Sequence, residues 1–125
     1  MRHVRSLFGP FLVLAGLNHF LNPRFYLRIM PPWLPAHEAV NTASGLAEIV
    51  GGAAVICPDP RVRRLGGWFS IATLVAVFPA NWHMARHPDA YPEVPGGATT
   101  LYARLPLQAV FIAWALAAMR PPQRG

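Results

Sequence analysis

Seven side chains of chemically capable type sit inside otherwise apolar stretches of this chain: Asn18, His19, Glu48, Asn81, His83, Arg104 and Gln108. Glu48 is the only acid within an apolar run, and Arg104 is the only arginine well inside one. An unpaired charge in a low-dielectric medium is costly, so the two are expected to be linked by an ion pair or a bridging water. Such a link suits two roles equally, fixing helix register or holding a ligand. Asn18, Asn81 and Gln108 have the character of interhelical hydrogen-bonding groups. His19 and His83 read as hydrogen-bonded histidines. Two histidines on facing helices can ligate a haem, but neither lies in a C-x-x-C-H or H-E-x-x-H pattern, so neither haem nor metal is expected. His3, His37 and His87 read as loop residues. Ser44 and Ser70 lack a G-x-S-x-G context, and neither a P-loop nor G-x-G-x-x-G is present. No catalytic residue is assigned.

The elements that must position these groups are four apolar segments, roughly 5–21, 38–57, 65–86 and 101–119. Each is long enough, at about 1.5 Å per helical residue, to match a bilayer core of about 30 Å. Their apolar residues cover most faces, and no water-facing stripe at i, i+3, i+4, i+7 can be drawn. Composition agrees. The chain has 125 residues, 54% hydrophobic and only 13% charged, against about 25% charged in a soluble domain. That excludes an ordinary soluble globule and a disordered chain. The fold expected is all-α, a single four-helix transmembrane bundle over 1–125. The lone Cys57 excludes an internal disulfide and a C-x-x-C pair.

Proline and glycine mark the connections: Pro23, Pro31, Pro32 and Pro35, then Pro58 and Pro60, then Pro88, Pro92, Pro95, Gly96 and Gly97. Thr99 or Thr100 suits the N-cap of the fourth helix. Pro79 and Pro106 fall within spans, where kinks are expected. The stretch Phe25 to Pro35 is apolar but too broken to span, and either lies at the membrane surface as a passive turn or folds over the mouth of the bundle. The N-terminal apolar run follows Arg2 and Arg5 but lacks an A-x-A-like site, so it is taken as a retained first span.

The net charge of +6 comes from arginines scattered between apolar runs. No basic face or nucleic-acid motif is present, so a nucleic-acid partner is not expected. Arginines instead report topology. Arg2, Arg5, Arg61, Arg63, Arg64, Arg120 and Arg124 fall on one side, and Arg24, Arg28, Arg86 and Arg104 on the other. The heavier side is cytoplasmic, which puts both termini inside. The hairpin at Arg61–Arg64 is the strongest single signal. The acids Glu38, Asp89 and Glu93 fall outside, and Tyr26, Trp33, Trp82, Tyr91 and Tyr102 are placed as an outer aromatic belt. In this arrangement all seven polar groups lie in the outer half of the bundle, and the inner half is nearly all apolar. Gly45 and Gly52 flank Glu48 on one helical face, which allows close helix approach and turns Glu48 inward.

Gly16-Leu17-Asn18-His19-Phe20, Pro23-x-x-Tyr26 and Ile29-Met30-Pro31-Pro32-Trp33-Leu34-Pro35 resemble the opening of a small DoxX-like membrane protein. Ser44 to Gly52 resembles the second-helix motif of that family, and Val77 to Ala85 and Arg104 to Gln108 resemble the third and fourth. The resemblance covers nearly the whole chain. It implies a four-helix protein of the cytoplasmic (inner) membrane, associated with redox systems. A cysteine pair for thiol relay is lacking. The expected function is a redox-associated accessory protein that binds a quinone-like molecule in the polar cluster. In that picture Arg104 and His83 donate to a ligand oxygen, and Glu48 orients Arg104 or takes a proton. The expected partners are the lipid bilayer and a membrane redox partner or further copies of the chain. The alternatives are a non-catalytic scaffold subunit, in which the cluster only locks the bundle, and a small transporter, for which the apolar inner half offers no continuous polar route.

Overall fold

The computed structural model describes residues 6–92 and 94–120. Arg2, His3, Arg5, Glu93, Pro121, Pro122 and Arg124 lie outside the described residues, and so does the share of the topology reading that rests on them. The architecture is all-helical, with no strand among the described residues. The order is α1 (Phe8–Leu21), α2 (Pro23–Arg28), α3 (His37–Ile56), α4 (Pro60–Arg86), a 3-10 turn (Pro88–Ala90) and α5 (Gly97–Met119). Three of these, α3, α4 and α5, are long and apolar enough to cross a membrane. α1 is apolar but has 14 residues, about 21 Å of helix, short of a full bilayer core.

Helix starts differ from the sequence expectation in two places, each for a local reason. α4 begins at Pro60 rather than near 65 because Asp59 caps it, accepting from the Arg61 amide at 2.9 Å, with proline at the first helical position. Arg61, Arg63 and Arg64 therefore lie on the first turns of α4, not in a hairpin loop. Arg63 reaches back to the Pro58 and Cys57 carbonyls at the end of α3, where a cation also suits the helix dipole. α5 begins at Gly97 behind Gly96, which is left-handed at φ 84°. Neither threonine caps it, and Thr100 donates instead to the Pro95 carbonyl. His37 is the first residue of α3, not a loop residue, and its Nε2 donates to the Pro31 carbonyl at 3.1 Å. Pro79 and Pro106 do lie inside helices.

Packing runs mainly α1 on α3, α3 on α4 and α4 on α5, while α1 and α5 barely meet. One end of the bundle is closed by Phe8, Leu12, Val55, Ala115 and Ala118. There Phe11 stacks on Phe111 and Phe8 packs edge-on to Trp114. The other end is closed by Ile29, Met84, Ala85, Tyr91, Val94 and Leu101. Ile29 and Pro31 belong to the connection after α2, so that connection folds inward over the bundle. Tyr91 is 2% exposed and belongs to this core, not to an aromatic belt. Large apolar side chains such as Leu14, Leu65 and Val110 remain exposed, a surface unlike that of a soluble monomer.

Candidate functional site

The site is built on the contact between α1 and α3. Gly9 of α1 meets Gly52 of α3, and Gly16 meets Gly45. A Cβ on Gly16 would lie 2.6 Å from the Gly45 carbonyl oxygen and 2.9 Å from the Ile49 amide nitrogen. The backbones touch there because neither glycine has a side chain to hold them apart. One helical turn further along α1, the same approach brings His19 against Asn41 and Glu48.

His19 is fully engaged. Its Nδ1 is 2.9 Å from Asn41 Oδ1, and Asn41 Nδ2 donates to the His19 carbonyl at 3.0 Å. Its Nε2 stands 3.4 Å from Glu48 Oε2, an ion-pair distance that is long for a hydrogen bond. Its ring stacks on Tyr26 at 3.9 Å, and the Tyr26 hydroxyl accepts from Asn18 Nδ2 at 2.8 Å. With both ring nitrogens occupied, His19 is not placed to ligate a haem or a metal. Among the described residues no group of three metal-ligating side chains is found.

A second polar group joins α4 and α5. Asn81 Nδ2 points to Gln108 Oε1 at 3.4 Å, and Gln108 Nε2 donates to the Leu74 carbonyl at 2.8 Å. Arg104, one turn before Gln108, has a long contact to Met84 Sδ at 3.9 Å. Of the two links expected between Glu48 and Arg104, the direct ion pair is not made, and Glu48 turns to His19. Glu48 and Arg104 instead both face one cavity of about 200 Å³ between α1, α3, α4 and α5, beside the Phe11–Phe111 ring contact. Phe8, Phe11, Leu12 and Ala15 wall it from α1, and Leu107 and Phe111 from α5. Leu74, Val77 and Asn81 of α4 complete it.

The seven expected residues therefore split. Glu48, Asn81, Arg104 and Gln108 line this cavity. His19 lines a neighbouring, more apolar one of about 250 Å³ under the Met30–Leu34 connection, which shares Val77 with the first. Asn18 braces Tyr26. His83 is in neither cavity. It packs among Trp33, His87 and Tyr91 and does not line the cavity that Arg104 faces. Asn41 and Tyr26 were missed as members of the site. Asn41 is seven residues before Glu48 and in step with Gly45 and Gly52, and that spacing was the available signal.

Tyr91 beside His83 presents a test of local packing. Its hydroxyl is buried without a hydrogen-bond partner among the described residues, and burial pushes its pKa up. Removing an unsatisfied buried hydroxyl while keeping the ring is favourable. Tyr91→Phe is expected to leave the protein as stable or more stable, by up to about 1 kcal/mol, as read by thermal unfolding in detergent.

These features define an all-helical bundle with three helices long and apolar enough to span a membrane, the mark of a multi-pass membrane protein. The chain belongs to the family described as a domain of unknown function, DUF8561, whose profile matches residues 8–119. No curated protein and no solved structure matches it.

Proposed function

We propose that this protein lies in the cytoplasmic membrane with both termini inside and binds a small quinone-like amphiphile between α1, α3, α4 and α5. One observation carries this reading. Arg104 and Glu48 face a common cavity whose remaining walls are largely aromatic and aliphatic. Apolar enclosure with a few convergent polar groups is the usual form of a small-molecule site. Arg104 offers five donors, and the side-chain hydrogen bond it makes among the described residues is to a sulfur, a weak acceptor. It is free to donate to a ligand oxygen while the ring lies against Phe11 and Phe111. A volume near 200 Å³ admits a head group of one or two rings rather than a long chain. The DoxX-like order of motifs supports an accessory role beside a membrane redox partner.

A thermal-unfolding series of the detergent-solubilised protein with a short-chain quinone tests this. At a hundredfold excess over Kd, about 2.7 kcal/mol of stabilisation is expected, a rise in Tm of about 8–16 °C for a chain of this size. Arg104→Gln should abolish the rise. No shift with any quinone at saturating concentration contradicts the reading.

The scaffold reading draws on a different observation. Gln108 has both ends of its amide engaged, and Asn41 both donates to and accepts from His19. These residues tie α1 to α3 and α4 to α5 whether or not a ligand is bound.

A further inference from the structure

Asn41 determines where the protons of His19 lie. Its amide nitrogen donates to the His19 backbone carbonyl. A carbonyl only accepts, so Oδ1 is the atom turned toward the imidazole. Nδ1, 2.9 Å from that oxygen, must then carry a hydrogen. The other ring nitrogen faces Glu48 Oε2, which is shielded from solvent and has no hydrogen-bond partner among the described residues. Two lone pairs opposed in a buried place are costly. One proton between them removes that cost. A proton on Nε2 makes His19 the counter-charge of Glu48, so the pair carries no net charge.

Arg104 remains positively charged in proteins. Among the described residues it forms no ion pair. Asn81 and Gln108 are neutral amides and supply no counter-charge, and Gln108 is engaged by Asn81 and the Leu74 carbonyl. The cavity therefore carries one cation whose counter-charge is not supplied by Glu48. We propose that it selects amphiphiles whose head group is anionic at neutral pH, a carboxylate or an ionised hydroxyquinone, with the anion on Arg104 and the ring against Phe11 and Phe111. The inference rests on the ligand-binding reading above and narrows it to a chemical class. A neutral carbonyl offers Arg104 one ordinary hydrogen bond. An anion offers charge-assisted ones and neutralises a cation held among apolar side chains.

The comparison uses the full chain in an uncharged detergent, titrated by calorimetry with 1,4-naphthoquinone and 2-hydroxy-1,4-naphthoquinone. The two share a ring system and differ by one hydroxyl that is ionised at neutral pH. The hydroxy compound is expected to bind at least about tenfold tighter. Arg104→Gln should remove the preference and Arg104→Lys should keep it. Equal affinity for the two compounds, or tighter binding of the neutral one, overturns anion selectivity and leaves the ligand site standing. Binding of neither compound overturns the ligand site itself. If Arg104→Gln does not fold, the two-compound comparison on the unaltered protein decides.

Discussion

Gly16→Leu is expected to stop the bundle from closing. The first carbon of the new side chain would already sit 2.6 Å from the Gly45 carbonyl oxygen and 2.9 Å from the Ile49 amide nitrogen. Neither atom can turn away, since both are backbone of α3. The helices must separate by more than a core tolerates, at a cost of about 3 kcal/mol or more. Separation also withdraws His19 from Asn41 and Glu48. Folding yield and the detergent unfolding midpoint are the measurements. A protein of unchanged midpoint would show that α1 and α3 do not meet at Gly16 and Gly45.

The second large effect is at the buried pair. His19→Leu removes the one ion-pair partner of Glu48 among the described residues and leaves Asn41 Oδ1 without its partner. Removing one member of a buried pair costs about 3–5 kcal/mol, whereas replacing both by apolar groups is often near neutral. His19→Leu is therefore expected to destabilise by about 3 kcal/mol, and His19→Leu with Glu48→Leu to recover much of that loss. A double-mutant cycle on unfolding free energy measures the coupling. Additive single effects would mean that the two side chains do not interact.

The elements were legible because their signals are local. Apolar runs of helical length and proline-marked connections located α1, α3, α4 and α5 to within about five residues, while the short α2 falls in a stretch read as a connection. The early start of α4 could also have been seen, since Asp59-Pro60 is an N-cap followed by proline at the first helical position. The site was legible in depth but not in rotation. Distance along a helix placed Glu48 and Arg104 in the same half of the bundle, and both do face one cavity. It could not say that Glu48 turns to α1. That direction comes from the Gly16–Gly45 contact, which sets the faces of α1 and α3 that oppose each other. His83 shows the same limit. It lies two residues from Asn81 on α4, so about 200° of helical rotation separates them, and it points to Trp33 and Tyr91 instead of the cavity. The inward fold of Ile29 and Pro31 is a tertiary contact that proline spacing alone does not specify.

Native mass spectrometry of the full chain, released from membranes in a gentle detergent and then offered a short-chain quinone or hydroxyquinone, examines the ligand cavity most directly. The expected spectrum shows one small molecule per chain, retained from the membrane or taken up on addition, and lost in Arg104→Gln. Bare protein under both conditions, with the bundle intact, would contradict it.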